Sequence, residues 1–375
     1  MDGLFALGSN GSGQLGIGHK EDVSVPKQVA FLGEAPTDEI VQVAAGGNHT
    51  IILTETGKAY WAGDASSGAC GLVEATEDVE ISKFRPSIIS TSERLGPIAH
   101  VACTWDSSVF VVKDKSGKAT QVYTCGVPDT GAASANPDST TLKTPVLLNN
   151  FPPSGTEVID LAAGFRHVVA VLDNGDAYGW GNGRKGQLGE LDDTADAKGV
   201  IRHPRKINGI SFSVAKAVCC QHTTCFIAEP GDGRILVLGA DKWGLKSAAP
   251  IEVPNWNVIS ASWGGIYILQ RNGALIAWGR DDHGQLPPLG LPDLEIIAAG
   301  SEHALALTKD GEVISWGWGE HGNCGPQTEK FGDVKGRWNV LASLKYLPEG
   351  SKITAIGAGC ATSWINIAIE DGLLL

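Results

Sequence analysis

One pattern recurs along the 375 residues of this chain until it accounts for most of them. A short apolar run closes on Gly and often His, and an aromatic-Gly turn follows about ten residues later. The clearest copy spans 160–189: Leu161-Ala162-Ala163-Gly164-Phe165-Arg166-His167 leads through Val168 and Leu172 to Asn174-Gly175, then to Tyr178-Gly179-Trp180-Gly181 and Gly186-Gln187-Leu188-Gly189. Repetition at such a period decides architecture first, because each unit buries its apolar faces only against its neighbours.

With His167 as anchor, the equivalent positions are His49, Ser107, Thr223, Gly265, His303 and Thr362, with His222 competing for the place of Thr223. The intervals are 58, 60, 56, 42, 38 and 59 residues, which makes seven units. A turn glycine follows the anchor at Gly57, Gly117, Gly175, Gly233, Gly273, Gly311 and Gly372. Runs such as Tyr60-Trp61-Ala62-Gly63, Ile276-Ala277-Trp278-Gly279 and Ile314-Ser315-Trp316-Gly317 come next. Short β-branched and aromatic runs bounded by Gly and Asn/Asp read as strands joined by tight turns.

The two ends complete each other. Residues 4–16 are the second half of a unit without its first half, and residues 353–369 are a first half without its second. Joined, they predict an all-β, seven-bladed β-propeller closed by pairing of the N- and C-terminal strands, one domain over 1–375. Closure leaves no terminal repeat to cap.

Composition bounds the function. The chain carries 42 acidic against 29 basic residues, net −13, a field that repels nucleic acid and favours basic protein partners. The eight cysteines show no C-x-x-C spacing, so they read as small core residues of a reduced, intracellular protein. No basic segment followed by a long apolar run opens the chain, and no stretch reaches the ~18 apolar residues of a membrane span. Between units, 73–97, 127–156, 190–211 and 326–350 read as variable connections. The stretch 131–137 reads as a mobile loop, and Arg202-His203-Pro204-Arg205-Lys206 as a solvated basic one.

Several motifs imitate chemistry. Gly11-Ser12-Gly13-Gln14-Leu15-Gly16 fits G-x-G-x-x-G, but 181–186 and 317–322 fit it at the same point of the repeat, and no amphipathic helix follows to cradle a phosphate. They are expected to be hairpin turns. His49, His167 and His303 share one repeat position on different blades, too far apart for one ion. Each is expected to donate to a neighbouring strand's carbonyl. Asp281-Asp282-His283 reads as a solvated turn. No nucleophile elbow, P-loop or H-E-x-x-H is present. The expectation is a non-enzymatic binding protein without cofactor or metal.

The candidate partner-binding residues lie just before the anchors, in loops on one face of the ring: Trp105, Asp106, Phe165, Arg166, His222, Trp263 and Glu302. Aromatic residues and Arg in loops are the stuff of interface hot spots. A second reading of Trp105 and Trp263, as a plug in the ring's mouth, stands beside the first. Asp106, Glu302 and Glu320 are expected to give this face an acidic rim.

The units Ala44-Ala45-Gly46-Gly47-Asn48-His49-Thr50, 162–167 and 181–189 resemble the regulator of chromosome condensation repeat, a seven-bladed propeller family. The founding branch exchanges guanine nucleotide on the GTPase Ran and binds chromatin through a basic amino-terminal tail, whereas this acidic chain begins directly in a strand. The plant UV-B photoreceptor branch carries Gly-Trp-Arg-His-Thr repeats. Here the matching stretches read Gly164-Phe165-Arg166-His167-Val168 and Ser262-Trp263-Gly264-Gly265. The opening 6–22 is similar to the fungal α-tubulin-suppressor, killer-toxin-insensitivity propeller. That resemblance implies a heterodimer with a small zinc-binding, electron-carrying diphthamide-biosynthesis protein. It also implies support of diphthamide formation on elongation factor two and of Elongator-dependent tRNA wobble-uridine modification, in cytoplasm and nucleus. Exchange on a Ran-like GTPase is the alternative.

Overall fold

The computed structural model describes residues 2–71, 80–87, 89, 95–128, 133 and 142–369. The stretch 131–137 therefore lies, apart from Ala133, outside the described residues, as does Gly372.

Seven antiparallel sheets form a ring. Numbered in chain order, blades 1 to 6 have their innermost strands at Ile40–Ala45, Ile98–Cys103, Val158–Ala163, Val214–Cys219, Trp256–Ala261 and Leu294–Ala299. That of blade 7 is Ser351–Ala358. Each innermost strand packs on the next, and Ser351–Ala358 returns onto Ile40–Ala45. Closure comes from the chain ends. Gly3–Gly8 pairs antiparallel with Thr362–Ile369, in register from Gly3 opposite Ile367 to Gly8 opposite Thr362, and Val23–Gln28 completes blade 7.

All seven anchors open the second strand of their blade: His49–Thr54, Ser107–Lys113, His167–Leu172, Thr223–Ala228, Gly265–Gln270, His303–Thr308 and Thr362–Ile369. Thr223, not His222, is thus the equivalent in blade 4, paired with Gly239 across the sheet. These strands are sandwiched between adjacent blades on both faces, so they are apolar without alternation, and in blades 1, 3, 4 and 6 every residue is buried. Burying a Val, Ile or Leu contributes roughly 1.5–3 kcal/mol each, which makes these strands the core of the ring.

Two expectations are corrected at the outer rim. The connections at 190–211 and 326–350 contain the fourth strands Val200–Lys206 and Asp333–Ser343, and fourth strands also occupy Arg85–Pro86 and Leu142–Leu147. The basic run 202–206 is therefore edge strand, not loop. Its charges are matched by Asp196 on Arg202 (2.9 Å), Asp192 on Arg205 (2.5 Å) and Asp176 on Lys206 (2.7 Å). Blades 4 and 5 have three strands each. No helix among the described residues is long and apolar enough to cross a membrane.

The glycine-rich look-alikes are tandem β-turns between third and fourth strands. Gly13 and Gly16 donate in series to the carbonyls of Asn10 and Gly13, Gly186 and Gly189 to those of Gly183 and Gly186, and Gly322 and Gly325 to those of Gly319 and Gly322. A strand rather than a helix follows each, so no helix N-terminus faces a phosphate.

Candidate partner-binding face

In each blade the turn from first to second strand is closed by the same bond: the N–H three residues before the anchor donates to the anchor's carbonyl. Gly46 to His49, Thr104 to Ser107, Gly164 to His167 and Cys220 to Thr223 all do so at 2.8–2.9 Å, and blades 5 to 7 repeat it. One geometry, seven times, puts the residue two before each anchor at the mouth of the central channel. Backbone bonds run between blades at this level: Gly47 N–H to the Trp105 carbonyl, Trp105 N–H to that of Phe165, Gln221 N–H to that of Trp263 and Trp263 N–H to that of Ser301, at 2.9–3.0 Å.

One layer below, four residues before each anchor, the neck carries only small side chains. Ala45, Ala163, Ala261, Ala299 and Ala358 stand in five blades and Cys103 and Cys219 in two, because seven strands converge on the axis there. The space enclosed is about 140 Å³. Above it, Trp105, Phe165 and Trp263 meet. Ring centroids are 5.1 Å apart for Trp105 and Phe165, 5.8 Å for Trp105 and Trp263, and 5.6 Å for Phe165 and Trp263, the last pair edge to face. All three are half-buried, so they close the channel and still present ring surface outward. Gly47 makes this possible: a Cβ there would lie 2.6 Å from the Trp105 indole.

The remaining candidates divide. Arg166 is exposed, its guanidinium 5.1 Å over the Phe165 ring. His222 is half-buried in the adjoining turn, and burial, then the charges of Lys185, Lys242 and Arg166, lower its pKa. Glu302 lies across the mouth, bound by Arg280 and by Gln285 Nε2 at 2.9 Å. Asp106 is half-buried beside Trp105, and its carbonyl accepts from Val127 N–H at 3.1 Å. The expected acidic rim is therefore only a sector, with Arg280 neutralising much of it through Asp282 and Glu302. Arg280 holds the Asp282 carboxyl down at about 2.

Trp243 was missed by sequence reasoning. It stands in the connection after the third strand of blade 4, between Lys242 (3.9 Å to the ring) and Arg280 (4.9 Å), at φ 58° and ψ 24°. The signal was Asp241-Lys242-Trp243-Gly244, whose Gly244 matches the turn glycine Gly186. Cys360 at the mouth is a thiol that burial pushes up to about 11, so it stays protonated at neutral pH.

The repeated histidines hold blades together. His49 Nε2 is 2.9 Å from Ser108 Oγ, His167 Nε2 3.0 Å from Thr224 Oγ1 and His303 Nε2 2.9 Å from Ser363 Oγ. Each partner is a hydroxyl of the next blade, which corrects the expected carbonyl. Ser363 donates its own proton to the Asn323 carbonyl (2.9 Å), so His303 donates through Nε2. Asp282 is tied to Arg280, and His283 Nδ1 meets Asp333 at 3.0 Å, so that turn is an ion-paired one. Among the described residues no group of His, Cys, Asp and Glu is arranged to hold a metal.

The closed seven-bladed ring, its mouth plugged and divided in charge, defines a repeat β-propeller. The profile of the RCC1-like domain matches residues 3–365, and the chain belongs to that family. It is 31% identical over 296 residues to an RCC1 repeat-containing protein of Schizosaccharomyces pombe, covering 75% of this chain and 78% of the relative. To the secretion-regulating guanine nucleotide exchange factor of Mus musculus it is 27% identical over 299 residues, spanning 76% of this chain and 61% of that protein's length. In fold it matches Prp20p of Saccharomyces cerevisiae with a TM-score of 0.80 at 21% identity, over 99% of this chain and 92% of that one.

Proposed function

We propose that this protein is a non-enzymatic partner protein that docks a second protein on the plugged face of its ring. The observation that carries the reading is the Trp105–Phe165–Trp263 cluster: three half-buried rings in mutual contact at the centre of a face, flanked by an exposed Arg stacked on one of them. Such centrally placed aromatics, supported from below and open above, are where binding energy concentrates.

As partner we name the small zinc- or iron-binding electron carrier of diphthamide biosynthesis, on the resemblance of residues 6–22 to the fungal heterodimer-forming propeller. In this reading the propeller positions the carrier and covers part of its metal site, in cytoplasm and nucleus. The pair then serves diphthamide formation on elongation factor two and Elongator-dependent wobble-uridine modification. Co-expression followed by size-exclusion chromatography tests it: one co-eluting peak is expected, and two separate peaks would contradict it.

A second reading, guanine-nucleotide exchange on a Ran-like small GTPase, draws on the exchange factor among the relatives. Its test is release of labelled GDP. A rate equal to the intrinsic one removes it.

A further inference from the structure

Arg202, Arg205, Lys206, Lys216, Arg234 and Arg280 are each neutralised by an Asp. Four basic side chains clustered at the mouth are not. Arg166 and Lys185 of blade 3 and His222 and Lys242 of blade 4 form no ion pair among the described residues. They rise from turns and connections of two consecutive blades on the face that carries the aromatic cluster. The blade 3 turn that carries Lys185 packs on blade 4 beside His222: a Cβ on Gly239 would lie 2.4 Å from the His222 carbonyl and 3.2 Å from Gln187 Cα. The charges of Arg166, Lys185 and Lys242 act together on His222 there.

Two of these cations lie on aromatic rings, Arg166 on Phe165 and Lys242 on Trp243. That placement restricts the side chain yet leaves its outward N–H groups free for an anion. Trp243 is held in the left-handed region at φ 58°, a cost that non-glycine residues bear mainly at functional surfaces. Beyond Trp243, whose ring also meets Arg280 at 4.9 Å, exposed Asp281 and Glu320 and the half-buried Glu302 make the adjoining sector of blades 5 and 6 acidic. The face is therefore polarised between adjoining basic and acidic sectors.

We propose that the Arg166–Lys185–His222–Lys242 sector is the docking site for an acidic segment of a partner protein, a run of Asp and Glu whose carboxylates take these cations beside the aromatic cluster. The proposal rests on the reading that this face docks a partner and adds the chemistry of what is docked. A short acidic peptide suits the patch better than a nucleic acid does. A strand long enough to cross the mouth would meet Asp281, Glu302 and Glu320, which a short segment confined to blades 3 and 4 avoids.

The test uses the full chain and a fluorescein-labelled peptide of about ten alternating Glu and Asp residues, followed by anisotropy at low and high salt. A Lys peptide and an oligo-dT of equal length serve as comparisons. Saturable binding of the acidic peptide is expected, weakened by salt and lowered about tenfold or more by Arg166→Glu with Lys242→Glu. Lys309→Glu, which removes an exposed pair with Asp293 on the opposite face, is expected to leave affinity unchanged. Both mutated mouth residues are exposed, and equal melting temperatures confirm that the variant is folded. No saturable binding, an equal loss in Lys309→Glu, or tighter binding of oligo-dT overturns the proposal. Peptide binding by a chain that fails to co-elute with the zinc protein supports the sector and removes only that partner.

Discussion

His167 of blade 3 reaches 3.0 Å to the Thr224 hydroxyl of blade 4, and this contact states a rule of the ring. Wherever the anchor is His, the residue after the next anchor is a hydroxyl: Ser108, Thr224 or Ser363. Wherever it is not, that place holds Val168, Ile266 or Ala304, except for Thr50, which follows Thr362 around the ring and whose buried hydroxyl has no partner. The latch also needs room. A Cβ on Gly46, Gly164 or Gly300 would come within 2.2–2.4 Å of the His ring three residues on.

Removing a latch leaves a cavity and an unpaired hydroxyl together. His167→Ala is expected to cost about 2–4 kcal/mol. Adding Thr224→Val should return roughly 1 kcal/mol, because the orphaned hydroxyl goes with it. Urea unfolding of the two single variants and the double variant reads this as non-additivity.

The vacant latch can be filled. Gly359 stands three residues before Thr362, as the spacer glycines do elsewhere, and Thr50 Oγ1 is unsatisfied. Thr362→His is expected to raise stability by about 1 kcal/mol, a gain that Thr50→Val abolishes. A thermal melt of both variants checks it.

Stability should fall with acid in a defined window. Burial lowers His49 and His303 to about 4 and His167 to about 3, below the ordinary 6.5. Below pH 6.5 the unfolded chain takes up protons that the folded one refuses, so stability drops as pH falls toward 4 and the loss then levels off. Each latch contributes on the order of 3 kcal/mol. Unfolding free energy measured from pH 8 to 4 is expected flat above 7 and falling below it, with a shallower fall in His303→Gln. Carboxylates held low, such as Asp282 at about 2, act in a separate window below pH 4.

The plug depends on a glycine of another blade. Gly47→Ala is expected to displace Trp105, cost about 1–3 kcal/mol and shift tryptophan fluorescence. Trp105→Ala in the same chain should suppress the cost.

The ring, its seven units and its closure were legible because the second strands are sandwiched and so uniformly apolar. The fourth strands were not. They are edges with one face in water, so Val200–Lys206 looked like a basic loop, and proline interrupts them at Pro26, Pro86, Pro145 and Pro204. That proline was the unused signal: three residues on comes a buried apolar residue, Val29, Ile89, Leu148 or Ile207. The triad residues were legible as departures from the repeat, but their meeting over the channel was not, since it depends on ring curvature. The latch partners escaped for a similar reason, because each lies one blade away. Trp243 was hidden in a connection whose turn geometry only the fold reveals.

The central claim, that the aromatic cluster is a docking surface, is tested most directly by calorimetric titration of the zinc-binding diphthamide protein into the wild-type chain and Trp263→Ala. A complex weakened by about 2 kcal/mol, roughly thirtyfold, is expected in the variant. An unchanged affinity with a lowered melting temperature would contradict it and leave Trp263 as a plug alone.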